Sequence, residues 1–237
     1  FFIYIGISIC LFGGYYYCTI AANSFSGDHY YMIEQTKEIL DGNFRLVGMR
    51  TSRLQWNFPI INYLLTPLIA ITSNAWVLYV STSVTYVLGI WSLSWILLKY
   101  RPFSELLIFA SLSLTHVWSL FYSSFAWPPN YIPFFVSLFF ICFFHYLRNS
   151  ENVWFFHGAS LFLNIAFQLH TMSVVLIFGF ILALIMLGKL PRYRHWFLQV
   201  GLQIFLISPW IIFHLFVIDW GKEPEYHSSL FKHFFSP

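Results

Sequence analysis

The sequence predicts an all-α polytopic membrane protein, and three observations carry that prediction. Hydrophobic residues make up 59% of the chain, aromatics 23% and charged residues 9%, whereas about a quarter of a soluble domain is charged. Asp, Glu, Lys and Arg are absent from residues 54–98, 106–147, 152–188 and 195–218, and each stretch holds at least one helix of about 20 residues. Backbone groups in hydrocarbon have no water to bond, so those stretches must be helical.

Polar breaks divide the chain into about seven transmembrane helices: 1–21, 75–98, 103–121, 129–147, 153–168, 170–188 and 196–218. The first opens at Phe1 without a basic flank and has no small-x-small cleavage site before a soluble domain. It reads as a span beginning at a trimmed start or a fragment boundary, not as a signal peptide. Residues 22–58 form the first loop. The stretch 59–72 is apolar but short and carries Pro67, which places it as a helix lying at the membrane surface or as the start of a longer second span.

Lys99 and Arg101, then Arg148, then Lys189, Arg192 and Arg194 fall on one side under this count. The positive-inside rule makes that side cytoplasmic and the loop 22–58 extracytoplasmic. Tyr15, Tyr16 and Tyr17, and then Trp127 and Tyr131, sit at the outer edges as an interfacial belt does. The net charge of +3 therefore reports topology rather than a nucleic-acid partner. Cys10, Cys18 and Cys142 lie in apolar runs and are odd in number, which argues for buried, unreactive thiols over a disulfide framework. Neither an internal repeat nor a linker interrupts the sequence, so residues 1–237 read as a single membrane domain.

Against this background the charged stretch SGDHYYMIEQTKEILDG, 26–42, stands out. At 3.6 residues per turn Met32, Ile33, Thr36, Ile39 and Leu40 share one side, and Glu34, Gln35, Lys37, Glu38 and Asp41 the other. That pattern predicts an amphipathic helix parallel to the bilayer. Glu34 and Asp41 are spaced to pair with Lys37, and Gly42 is a natural stop. Asp28 falls at the start of this helix. It has two readings, a cap for the first turn, as Ser26 could also be, and a catalytic carboxylate facing a cavity between spans.

A first span, then an aspartate followed by two tyrosines and a helix ending in Asp-Gly (GDHYYMIEQTKEILDG), then a proline-bearing segment running into NYLLTPLIAI, resembles the polyprenyl-phosphate-sugar glycosyltransferases of the GT-C class. These include the protein O-mannosyltransferase and lipid A aminoarabinose transferase families. SSFAWPPNYIPF, 123–134, is similar to the bacterial branch's tryptophan-x-x-asparagine turn, and FQLHTMSVVLIF, 167–178, to its Gln-Leu-His turn. The chain departs from the aminoarabinose pattern at WNFPIINY, where Asn57 stands at the position of a lysine and one proline, Pro59, is kept. It also lacks an acid in 121–130. Such enzymes usually continue with more spans, so the resemblance implies a carboxyl-terminal part beyond this chain.

The resemblance implies an inverting transfer of a sugar from a polyprenyl-phosphate donor to a glycan, glycolipid or protein acceptor outside the cytoplasmic (inner, plasma) membrane. Asp28 would be the general base. No cofactor is required in principle, although some members use a divalent metal, which one of Glu34, Glu38 or Asp41 could help to hold near Asp28. The departing phosphate gains negative charge and calls for fixed cations or hydrogen-bond donors. The candidates are Arg45, Arg50, Arg53, His29, His170, Lys222 and Lys232. Arg53 is favoured because it lies between the two surface segments, and His170 because it sits with Gln168 in a turn between very apolar spans. Arg53 could equally contact lipid headgroups, His170 and Gln168 could cap the turn, and Asn130 could bind a sugar hydroxyl or cap the next span. His116, His145, His157, His195 and His214 show no metal-site spacing. A transporter or lipid flippase is the main alternative function, and a non-catalytic membrane scaffold that kept the fold but lost the site is a second.

Overall fold

The computed structural model describes residues 2, 5, 6, 8, 9, 27–50, 56–72, 74, 76–116 and 127–217. The chain is an all-α membrane protein, and among the described residues the sole β feature is an isolated bridge between Arg50 and Trp56. In chain order the helices are α1 (Gly27–Leu40), α2 (Ile60–Ile71), α3 (Trp76–Leu97), α4 (Phe103–Thr115), α5 (Ile132–Arg148), α6 (Val153–Leu169), α7 (Val174–Met186) and α8 (Tyr193–Ile212). Tight 3-10 turns, Pro128–Tyr131 and Thr171–Ser173, lead into α5 and α7, and a wider π turn, Phe213–Val217, follows α8.

Among the described residues three segments are long and apolar enough to cross a membrane: Val77–Leu97, Pro128–Arg148 and Tyr193–Phe216. The seven spans expected from the sequence are not shown by helix length among the described residues. Ile60–Ile71, Phe103–Leu114, Val153–Leu169 and Thr171–Met186 are apolar but shorter, below the ~20 residues a perpendicular crossing needs. The span expected at 1–21 and the end of that at 103–121 lie largely outside the described residues.

Tertiary contacts fix the direction of the helices. Tyr146, near the end of α5, donates a hydrogen bond to the Lys189 carbonyl just past α7, 2.9 Å. Arg148 lies over the ring of Tyr100, 4.6 Å from its centroid. His157, near the start of α6, meets His195, near the start of α8, at 3.2 Å. The basic turns after α3, α5 and α7 therefore gather at one end of the bundle, and α1 and α2 pack at the other.

Among the described residues the core has three parts. Met32 and Ile33 of α1 meet Ile61, Leu65 and Ile69 of α2, Leu78 of α3, Tyr131 and Phe135 at the start of α5, and Ala166 and Leu169 at the end of α6. Phe139, Tyr146, Phe156, Leu163, Phe180 and Leu184 join α5, α6 and α7. Val87 and Trp91 of α3 meet Ala110 and Leu114 of α4. Where α3 crosses α5, a Cβ on Gly89 would sit 2.9 Å from the Phe134 Cα, so the absent side chain is what lets the backbones approach. Outside these clusters, Phe178, Leu182 and Met186 of α7 and Phe197, Phe205 and Ile204 of α8 are exposed, as suits side chains whose surroundings are hydrocarbon.

Among the described residues two prolines, Pro67 and Pro209, sit in helix interiors. The sequence presents Pro67 as a break in 59–72, yet α2 runs through it. In α8, Pro209 leaves the Phe205 carbonyl without its usual N–H donor, and the Ser208 hydroxyl donates to that carbonyl instead, 2.7 Å. Cys142 is free and half-buried, beside Gly158 of α6, while Cys10 and Cys18 lie outside the described residues.

Candidate functional site

Helix α1 forms where the sequence predicts it, but it is rotated from the expected orientation. Met32, Ile33 and Thr36 are buried as anticipated, whereas Gln35, assigned to the wet face, is also buried and Leu40 is exposed. The reason is a partner on α2: the Asn62 side-chain amide donates to Gln35 Oε1 at 2.8 Å, inside the contact between the two helices. Asn62 is fully buried and its Oδ1 has no hydrogen-bond partner. The Lys37–Glu34 pair forms at 2.9 Å on the outer face, and Glu38 is engaged by Arg45. The latter pairing ties one of the candidate phosphate-binding cations to a carboxylate. At Gly42 the backbone takes φ +88°, and the Gly42 and Asn43 N–H groups bond the carbonyls of Ile39 and Glu38. This closes the helix with the left-handed stop that glycine favours.

Asp28 lies in the first turn of α1 rather than ahead of it; its side chain is outside the described residues. His29, the next residue, is buried and its Nδ1 is 2.9 Å from the Tyr79 hydroxyl on α3, with ring centroids 4.7 Å apart. The first turn of α1 is thereby tied to the beginning of a membrane-length helix. Two residues on, Ser81 shares a 2.8 Å hydrogen bond with Tyr131, whose hydroxyl also reaches the Leu78 carbonyl at 3.2 Å. That bond ties α3 to the turn before α5.

Asn130 is buried in that same turn, its backbone N–H bonded to the Trp127 carbonyl at 2.8 Å. The Trp127 ring stands edge-on to His170, 6.5 Å between centroids. The two turns singled out in the sequence, Trp127–Asn130 and Gln168–Thr171, thus meet in space. His170 caps the 3-10 turn after α6, its Nδ1 accepting from the Met172 N–H at 3.3 Å. Gln168 does not join it. Its side-chain amide donates to Asn164 Oδ1 at 2.6 Å and approaches the Leu206 carbonyl of α8 at 3.5 Å.

Arg50 bridges to Trp56, and its guanidinium carbon lies 5.9 Å from the Trp56 ring centroid. The Trp56 carbonyl in turn accepts from the Trp210 indole of α8 at 2.9 Å. Arg53, Lys222 and Lys232 lie outside the described residues.

Sequence reading missed a polar seam between α6 and α8. Gln168 is its outer end. Asn164 bonds Gln203, the Gln203 amide donates to the Ser160 carbonyl at 3.2 Å, and His157 Nδ1 lies 3.0 Å from Gln199 Oε1. His157 Nε2 is 3.2 Å from His195 Nδ1, and Arg194 Nε donates to His195 Nε2 at 3.3 Å. One set of protons satisfies that chain. With His195 donating from Nδ1 to His157 and His157 donating from Nδ1 to Gln199, each of these contacts pairs a donor with an acceptor. The Gln199 Nε2 is buried without a partner. The signal was available in the recurrence of polar residues every four positions, His195, Gln199 and Gln203, along an apolar helix.

Fold and site together define an all-α membrane protein with a charged helix docked on one end of an apolar bundle. Comparison with protein-family models, curated proteins and solved structures returns no match. Among the described residues no group of three or more His, Cys, Asp or Glu could hold a metal ion.

Proposed function

We propose that the protein is a membrane-embedded inverting glycosyltransferase that moves a sugar from a polyprenyl-phosphate donor to an acceptor at the membrane end carrying α1. The observation that carries the reading is the docking of the first turn of α1 onto the bundle through His29 and Tyr79, next to the end where Trp127 and His170 meet. On this reading the aspartate in that turn works where water, an apolar lipid chain and polar side chains would come together. Asp28 acts as general base, taking the acceptor hydroxyl's proton while the sugar's anomeric carbon is attacked and the lipid phosphate leaves with the bonding electron pair. His29, Asn130 and His170 offer hydrogen bonds to donor or acceptor, and Arg50 and Arg53 offer charge to the phosphate. Gln168 acts by holding the end of α6. The basic turns at the opposite end support, by the positive-inside rule, a proposal that this chemistry faces the extracytoplasmic side of the plasma membrane in a GT-C-like arrangement of spans.

The test supplies membranes containing the wild-type protein with a panel of polyprenyl-phosphate sugars and follows new glycoconjugates. Asp28→Asn is expected to insert normally and to lose roughly two to four orders of magnitude in transfer rate, the range of a general base. Near-normal transfer by the Asn variant rules out that role. The polar seam between α6 and α8 favours a second reading as a transporter or flippase, since polar residues at membrane depth mark substrate paths. Movement of a labelled lipid across vesicles, without glycosyl transfer by the wild type, would select it.

A further inference from the structure

We propose that the protein binds an anionic glycerophospholipid at the end of the bundle that carries the basic turns, in a groove between α3 and α5. A cavity of about 340 Å³ is lined by Phe2, Leu88, Trp91, Trp95, Leu138 and Ile141, among others, with almost wholly apolar walls. Phe2 and Trp95 flank it 6.1 Å apart, and both are exposed, so the groove opens sideways to the surroundings. In a membrane protein those surroundings are lipid tails.

What identifies the occupant is the charge at one end. On α3 the lining residues Leu88, Trp91, Ser92, Trp95 and Ile96 recur at helical spacing, and the same stripe continues one turn on to Lys99. The backbone carries that turn onward, with the N–H groups of Tyr100 and Arg101 bonded to the Leu97 carbonyl. On α5, Leu138 and Ile141 continue by the same spacing through Phe144 to Arg148. The two stripes converge. Tyr100 packs edge-on against Phe144 at 5.2 Å, and the Arg148 guanidinium lies 4.6 Å from the Tyr100 centroid and 5.8 Å from that of Phe144.

A chain lying in the groove and running toward these aromatics would emerge beside Lys99 and Arg148, both exposed. Arg101 is partly neutralised by Glu105 at 3.9 Å, but among the described residues no ion pair joins Arg148 to Glu151. An apolar slot ending in two cations matches an acyl chain joined to a phosphate headgroup, and stacking on a tyrosine leaves the arginine's charge available to it. This site lies at the end of the bundle opposite α1, so it is separate from the proposed sugar-donor site and does not rest on it.

Native mass spectrometry of the delipidated protein in nonionic detergent tests the proposal, with phosphatidylglycerol and phosphatidylcholine of identical chains as probes. One phosphatidylglycerol is expected to bind at least tenfold more tightly than phosphatidylcholine. The double variant Lys99→Ala/Arg148→Ala should abolish that preference, and Ser92→Trp, which fills the groove, should release both lipids. The alanine changes are at exposed helix ends, and circular dichroism checks that both variants keep their helices. Equal binding of the two lipids, an undiminished preference in the alanine variant, or displacement of phosphatidylglycerol by an equimolar polyprenyl phosphate would each overturn the proposal.

Discussion

His29 and Tyr79 are fifty residues apart in sequence and share a hydrogen bond of 2.9 Å at the junction of α1 and α3. The bond holds the first turn of the charged helix, and with it Asp28, against the bundle. Tyr79→Phe keeps the ring contact and deletes the hydroxyl. A buried polar atom that loses its partner costs about 1–3 kcal/mol, so a lower midpoint of thermal unfolding in detergent is expected. If the bond positions Asp28, the variant also loses transfer rate more than affinity for the donor. Unchanged stability would mean that the hydroxyl and ring do not depend on each other.

Gln35 and Asn62 make the second buried polar link of this region, between α1 and α2. Asn62→Leu strands the Gln35 side chain, and Gln35→Leu strands Asn62, whose Oδ1 already lacks a partner. Each single change is expected to destabilise by about 1–3 kcal/mol, while the double change to leucine costs less than the sum because no polar group is left unpaired. Additive effects in urea or thermal unfolding would contradict the pairing.

Helix α8 buries Gln199 alone among its residues and is held to α6 through the polar seam. Interhelical hydrogen bonds in membranes are each worth roughly 0.6 kcal/mol, so Gln203→Leu, which removes the contacts to Asn164 and the Ser160 carbonyl, should loosen α8 without unfolding the bundle. Faster amide hydrogen exchange confined to α8 and the facing part of α6 is the expected readout. Uniform change across all helices would show instead that the seam supports the whole core.

Gly89 permits the close crossing of α3 and α5. Gly89→Val would push a side chain into the Phe134 backbone, and because neither helix backbone can give way cheaply, overpacking of about 1–3 kcal/mol or more is expected. Gly179→Val on α7, where a Cβ meets nothing within 4 Å, is the matched control and should be nearly neutral. The two variants are compared by their yield of folded protein and by the midpoint of thermal unfolding.

The all-α membrane class, the charged helix with its stop at Gly42, and the ends of α3, α5, α6 and α8 to within a few residues could be read from the sequence. Each follows from local chemistry: a long run without charge must satisfy its backbone as a helix, and polar turns or a left-handed glycine end it. Span count could not be read in this way, because an apolar composition does not fix how many of its residues stay in one unbroken helix. The partners of the polar side chains were decided by tertiary structure alone. In a helix that is apolar nearly all round, periodicity names no inward face. The rotation that turns Gln35 toward Asn62, Gln168 toward α8 rather than His170, and His29 toward Tyr79 is set by how neighbouring helices cross.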